Sequence, residues 1–582
     1  MAVNNYRSRV KRWDVAERSA RYRAGLRLND LGARRWRFSE RWGLGAIRSA
    51  QGCRRLNFSC YRFREQGGFE MNQRHKLSKG GVRSAARARF ARITDLPDRT
   101  VMLGAILLGA AVSAGLSYFL AQIFSIDVFS SLLAVPEDCW LDWDLNIGRH
   151  CFSDYAQIVP AGLQPNPWTY EFSLPWGDYE PFPLGGPAGE MVPHMLFGFP
   201  AHLVGSPRLG LIGYMFALVV AVLSPAVWAA RGTHGVERVV VFVALGAAAI
   251  PAWAVIDRGN SAGFLVPIAL LFLVALSRRQ WRLAAIMVVL AALVKPWFVV
   301  LVVALFVARQ WRWGGLALAG VLVSNVAAYL LWPQDFPKTI MQSINNVSAV
   351  ASSPGALIDL RNVSFGRALL LLPDTLASLQ GGKVPDGFLA GPRSIIGYAI
   401  LALVVVALLI LGRRIPPLMA GIVLLATAAL SPPIAYYYYL IFVLPIAAIV
   451  VRSPDGSLGT GIFEHFAANR ERRRLVAVSV SLATAFTIVQ IALPTPPIPA
   501  PIFGQFGARG IIGTTPIVLT TSILAPLLWL IACVVVIISY ARRPVHVRGL
   551  GDDDDPVALE DGSPSTSADR SEAISSHPPA ED

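Results

Sequence analysis

The sequence predicts an all-α, polytopic integral membrane protein with about twelve transmembrane helices and two long outer loops bearing interfacial helices. Three observations carry this prediction. Of 582 residues, 54% are hydrophobic and only 15% charged, with mean hydropathy +0.49; a soluble domain carries about 25% charged residues. Apolar stretches of about 18 or more residues recur between Val101 and Tyr540, each long enough to cross roughly 30 Å of hydrocarbon as a helix. The strongly basic loops between them all fall on one side, as the positive-inside rule requires.

The formal net charge is +16, and residues 1–100 hold 25 Lys and Arg against 8 Asp and Glu, so the excess sits there. That segment reads as a basic cytoplasmic arm with the composition of a disordered, head-group-attracted tail. Nucleic acid is not an expected partner. Met71 is an alternative start, because "MNQRHKLSKGGVRSAARARF" is an ordinary lead-in to a first span. Residues 101–540 form the membrane domain. Residues 541–582 turn acidic and Ser/Pro-rich and read as a disordered cytoplasmic tail. No apolar run precedes residue 101, so no cleavable signal peptide is expected.

Apolar length and Lys/Arg position order the spans. Val101–Phe124 goes outward and is followed by the first long outer loop, to about Arg208. Leu209–Ala229 returns, Val239–Ile256 goes out, and the turn "DRGN" (Asp257–Asn260) faces outward. Ser261–Leu276 comes back to "SRRQWR". Leu283–Ala308 starts and ends at basic loops, so it reads as a hairpin of two short helices with Lys295-Pro296 at its tip. Gly314–Trp332 opens the second outer loop, to about Arg393. Ser394–Leu411, Leu418–Leu430, Tyr436–Val451, Leu475–Ala492 and Ile517–Tyr540 complete the set, with "PTPPIPAPIFG" as an outer loop and both termini on the cytoplasmic side of the plasma membrane.

The first outer loop concentrates chemistry. "CWLDWDLNIGRHCFSDYAQIV" places Asp142, Asp144 and Asp154 near Arg149 and His150, just beyond Asp138. Acids are costly in hydrocarbon, so acids beside a span face water, a cavity or a partner. Cys139 and Cys151 close a loop of about a dozen residues on the oxidising side, and a disulfide is expected between them. No Cys/His spacing indicates a metal, and no cofactor is expected. The apolar "MVPHMLFGFPAHLVG" is left no room to cross by topology parity, so it lies along the interface or dips in and out.

Four motifs resemble those of the C-type glycosyltransferases, and within them glycosyltransferase family 87, which includes actinobacterial mannosyl- and arabinofuranosyltransferases of the envelope. They are "SDYAQIVPAGLQPNPW", "DRGNSAGFLVPIALLFLVAL" with its following "ALVKPWFVVLVVALFVARQWRW", "LRNVSFGRALLLL" and "LSPPIAYYYYLIFVLP". They run in order from the first span to Pro445. Asn260 stands where the family commonly has Gln, and Tyr437 and Tyr438 where it commonly has His.

The resemblance implies a membrane glycosyltransferase that moves a sugar, mannose or arabinofuranose, from a polyprenyl-phosphate donor to a lipid-linked or envelope glycan acceptor. By the same resemblance Asp154 is the general base that takes the acceptor proton. Arg258, Lys295, Arg361 and Arg367 are the candidates for the donor phosphate, since cations clamp phosphate oxygens. Asn260 either bonds donor or caps a helix. Asn362 belongs to the family element, and Tyr437 and Tyr438 either stack on sugar or form an aromatic belt. Asp142, Asp144, Arg149 and His150 are secondary candidates. The alternative is a multi-span transporter or flippase for a lipid or glycolipid.

Overall fold

The computed structural model describes residues 96–124, 152–172, 182–352, 357, 361–379, 392–468, 472–494, 498–501, 512–515 and 518–542. The arm, the acidic tail and the segment holding Asp138, Asp142, Asp144, Arg149, His150, Cys139 and Cys151 lie outside these residues, and so does the expected disulfide.

Runs of Leu, Val, Ile and Ala give the longest helices, with Pro225 of the fourth as an interior proline. Helix α1 (Asp98–Phe124) opens with Asp98 in its first turn, where a negative charge suits the helix dipole. A short helix, α2 (Ser153–Gly162), and α3 (Ala188–Leu203) follow in the first long loop. Helix α4 (Pro207–Ala230) starts on a proline, which needs no N–H there. Helices α5 (Gly235–Phe242) and α6 (Ile250–Arg258) are two parts of one bent element. The 47° bend falls where a π-turn over Val243–Ala247 meets Pro251, which has no N–H to continue the ladder. A single straight span was expected there.

Beyond it, α7 (Leu265–Ser277) and α8 (Trp281–Val294) form an antiparallel pair. The chain breaks at Lys295, whose backbone is extended, and returns through a 3₁₀ segment (Pro296–Val302) and α9 (Val303–Val307). This is the hairpin expected from the sequence, with Pro296 closing its tip. Helices α10 (Trp311–Tyr329), α11 (Lys338–Ala351), α12 (Phe365–Leu369), α13 (Leu371–Leu379) and α14 (Pro392–Leu411) come next. Then follow α15 (Pro417–Leu430), α16 (Val443–Val451), α17 (Ile462–Ala468), α18 (Arg474–Ile488) and α19 (Ala525–Arg542).

Among the described residues four helices are long and apolar enough to cross a membrane: Asp98–Leu120, Pro207–Ala230, Ile395–Arg414 and Thr521–Arg542. The bent α5–α6 pair makes a fifth if counted as one span. Six further apolar helices run 10–17 residues. Helices α15 and α16 are the core: every residue from Leu418 to Leu430 and from Val443 to Val451 is buried. Helices α4, α7, α14, α18 and α19 pack around them.

The two long loops hold each other. Asn346 donates to the carbonyls of Trp168 and Leu184 at 3.0 and 3.1 Å, and Asn166 donates to Asp335 and Gln342 at 3.0 Å each. The Trp168 ring lies between Tyr329 and Trp332, with centroids 5.0 and 5.8 Å away. Three small antiparallel ribbons add to the helices: β1–β2 (Glu171–Phe172, Phe182–Pro183), β3–β6 (Ala492–Pro494, Val518–Thr520) and β4–β5 (Ile498–Pro501, Ile512–Thr515). The last two occupy the proline-rich loop, so the final helix begins at Ala525 rather than near Ile517.

Candidate functional site

Asp154 sits in the first turn of α2. The residue before the helix, Phe152, is left-handed (φ 42°) and donates its N–H to the Asp257 carbonyl at 3.0 Å, which fixes the start of α2 beside the end of α6. Helix α6 closes at Gly259, also left-handed (φ 66°), with Gly259 N–H bonded to Ile256 and Asn260 N–H to Val255. This is a glycine-closed helix end. The reversal aims the residues on either side of Gly259 at one carboxylate.

Arg258 donates Nη2 to Asp154 Oδ1 at 3.0 Å and Nε to Oδ2 at 3.4 Å. Asn260 donates Nδ2 to Oδ2 at 2.5 Å, while its Oδ1 accepts the Ala262 N–H at 2.8 Å. Of the two roles expected for Asn260 the structure shows the cap, on the 3₁₀ turn Ser261–Phe264, and adds a bond to Asp154 that the sequence did not suggest. Asp154 is buried at 8% exposure, a tightly held carboxylate rather than one facing a wet cavity. Burial pushes its pKa up, but the charge of Arg258 and the hydrogen bonds from Arg258 and Asn260 outweigh this and hold it below the usual 3.8. Lys295 acts in the same direction.

Lys295 is 1% exposed and ion-paired to Glu190, in the first turn of α3. Its ammonium lies over the rings of Trp297 and Tyr439, at 5.7 and 5.3 Å from their centroids. Such contacts stabilise a desolvated cation by about 2 kcal/mol. Arg258 lies over Tyr438 at 5.2 Å, and the Tyr438 and Tyr439 rings are 4.7 Å apart. The two cations are thus joined through the tyrosine run.

Beneath the Gly259 turn lies a polar support. Tyr214 Oη donates to the Gly259 carbonyl at 2.8 Å, and His194 Nε2 lies 3.1 Å from the same oxygen and 3.0 Å from Tyr214 Oη. The other ring nitrogen, Nδ1, lies 3.4 Å from the Glu190 carbonyl, so each side of the ring meets a backbone acceptor and the neutral ring donates to one of them. Complete burial pulls the His194 pKa down to about 4, so the ring is neutral. Burial raises Tyr155, whose ring packs on Tyr214 at 4.9 Å, to about 12.

The second-loop residues divide. Arg361 lies over Tyr436 at 5.7 Å, and its carbonyl accepts the Tyr437 N–H at 3.0 Å, so this loop abuts the tyrosine run. Asn362 corrects a sequence expectation. It is fully buried; Nδ2 donates to Leu357 and Pro433 carbonyls at 3.1 and 2.9 Å, and Oδ1 accepts from Ser364 and Ala435 at 3.0 and 3.1 Å. Its amide is saturated by backbone, and Asn362 is a strut between two loops rather than a ligand-facing group. Arg367 is likewise part of another ionic group: it lies 3.7 Å from Asp374, which Arg393 also grips. Among the described contacts none joins Arg367 to Asp154. Tyr438 and Tyr439 face the two cations, whereas Tyr437 packs edge-on to Tyr438 at 6.2 Å.

Sequence reasoning did not single out Glu190, His194 or Tyr214, and named Tyr439 only as part of its run. Glu190 was legible: it is the one acid in the apolar stretch between Pro187 and Arg208, one helical turn before His194. Among the described residues no three His, Cys, Asp or Glu side chains converge to hold a metal ion. Comparison of the chain with protein-family models, with curated proteins and with solved structures finds no match.

Proposed function

We propose that the protein is a membrane glycosyltransferase of about twelve spans that transfers mannose or arabinofuranose from a polyprenyl-phosphate donor to a glycan or glycolipid acceptor on the outer side of the cytoplasmic membrane. The observation that carries this reading is the ionised, buried Asp154 held by Arg258 and Asn260, with a second cation, Lys295, in the same aromatic-walled group. In the reaction the Asp154 carboxylate takes the proton of the acceptor hydroxyl. The freed oxygen bonds to the anomeric carbon, and the carbon–oxygen bond to phosphate breaks, so polyprenyl phosphate leaves with the electron pair. Arg258 and Lys295 neutralise the phosphate that departs. The short helices fit a count above five, because α15 and α16 are sheltered by neighbours.

A transporter is the second reading. It is favoured by the way α6, α8 and the Tyr437–Phe442 segment break at the polar group, since broken helices also line transport sites. Purified full-length protein incubated with a panel of polyprenyl-phosphate sugars, and followed for released polyprenyl phosphate, separates the two. Acceptor-dependent release supports the transferase. No release with any donor, together with uptake into sealed proteoliposomes, overturns it in favour of transport.

A further inference from the structure

Two turns of the chain carry the same four residues. Arg279-Gln280-Trp281-Arg282 follows α7, and Arg309-Gln310-Trp311-Arg312 follows α9. They also share a backbone. Gln280 N–H bonds to Ala275 and Gln310 N–H to Leu305, each at 2.8 Å, while Arg279 and Arg309 are left-handed at φ 55° and 59°. A helix end of this kind takes glycine without steric cost. The chain uses glycine in that position at Gly205 and Gly259, both φ 66°. At these two turns it holds an arginine there instead.

The turns lie together, away from Asp154. Helix α7 begins just after Asn260 and α8 ends at Lys295, so the α7–α8 turn is one helix length, about 20 Å, from the Asp154 group. Helix α9 leaves the same Lys295 break and runs to the same far end. Helix α8 packs along α10, which brings the two turns side by side. Beside them is a groove of about 580 Å³ lined by Gln280, Trp281, Arg282, Leu283 and Ile286 of the first turn and by Trp313, just after the second. The exposed Leu290 extends the apolar strip along α8. Arg279, Arg282, Arg309 and Arg312 are exposed, and among the described residues none is paired with a carboxylate. The neighbouring Arg278, by contrast, bonds Asp455 at 3.0 Å.

We propose that this groove binds one anionic phospholipid of the leaflet opposite the Asp154 group, which is the cytoplasmic leaflet in the topology proposed above. The arginines take the phosphodiester, and one acyl chain lies along Leu283, Ile286 and Leu290. Charge complementarity selects an anionic head group over a zwitterionic one. Tryptophan pairs mark the interface depth at which head group and chain meet. The apolar strip leading away from the charged rim is what a soluble phosphate would not use. The inference stands apart from the transferase reading.

Delipidated full-length protein in neutral detergent, titrated with phosphatidylglycerol or phosphatidylcholine and weighed intact by native mass spectrometry, tests it. Native protein should retain phosphatidylglycerol at about tenfold lower concentration than phosphatidylcholine. Arg279→Gly/Arg309→Gly should lose that preference while melting no lower than native, because glycine suits both turns. Arg282→Gln/Arg312→Gln should lose it too, whereas Arg413→Gln/Arg414→Gln, on a different turn, should keep it. Equal retention of the two lipids by native protein, or a preference that survives in both of the first two variants, would overturn the proposal.

Discussion

Arg258 grips both carboxylate oxygens of Asp154, at 3.0 and 3.4 Å, across 104 residues of sequence. The side chains are 15% and 11% exposed, so the pair is largely dry. Removing one partner strands a buried charge, which costs about 3 kcal/mol or more. Asp154→Asn should therefore lower thermal stability as well as slow transfer by about 10²–10⁴-fold, the usual share of general base catalysis. Arg258→Gln alone should destabilise similarly. The double variant should recover stability relative to the sum of the two, without recovering transfer. Additive losses in melting temperature would show that the pair is not coupled.

His194 makes the stability of the fold sensitive to mild acid. Its folded pKa, about 4, lies below the ordinary 6.5, so the unfolded chain binds the proton more readily. The stability due to the neutral ring is complete above pH 6.5, falls as pH drops toward 4, and is flat below; the full span is about 3 kcal/mol. Asp154, held below 3.8, adds a separate loss at still lower pH. His194→Gln should flatten the melting-temperature profile between pH 6.5 and 4 while leaving the lower limb. A variant with the native profile in that window would assign the acid sensitivity elsewhere.

Glu190 neutralises Lys295 in the free protein. If Lys295 receives the donor phosphate, Glu190 is what the phosphate must displace. Glu190→Gln should then tighten binding of polyprenyl phosphate by about tenfold, since a full charge no longer competes. Lys295→Met should abolish that gain. Binding measured by fluorescence with a labelled prenyl phosphate decides it, and unchanged affinity in Glu190→Gln would remove Lys295 from the donor site.

Asn362→Ala should behave as a structural lesion. It deletes bonds to two carbonyls and leaves the Ser364 and Ala435 N–H groups without their acceptor. The loss should be about 2–4 kcal/mol. Wherever the variant stays folded, prenyl-phosphate affinity should remain native. A stable Asn362→Ala protein with weakened affinity would restore the ligand role expected from the sequence.

Much of the helical order was legible because lipid and core make the same demand for long apolar runs, and Lys/Arg placement marks the turns between them. The Lys295 hairpin was readable from its flanks: two basic ends force an even number of crossings. Asp154, Arg258, Asn260 and Lys295 were each visible as polar residues where an apolar run begins or ends. Their mutual pairing was not visible, since it depends on α2 starting at a left-handed Phe152 and on Gly259 turning Arg258 and Asn260 inward. At Asn362 and Arg367 the sequence showed the residues but not their partners. A buried Asn and a buried Arg look alike in sequence whether they face a ligand, a backbone or an aspartate. The π-turn before α6 leaves no mark in hydropathy, although Pro251 beside it was a legible sign of a break.

Helices α15 and α16 are wrapped by protein on every side. At 14 residues, α15 is about 21 Å long, short of the roughly 30 Å of a bilayer interior. It needs no greater length, for every residue from Leu418 to Leu430 is covered by protein. Bilayer thickness therefore acts on the outer helices α1, α4, α14 and α19, which have lipid-length apolar faces, and they can tilt to meet a thicker or thinner membrane. The inner pair is insulated from that adjustment, and the tyrosine run that enters α16 is anchored to the part of the molecule that hydrophobic mismatch moves least.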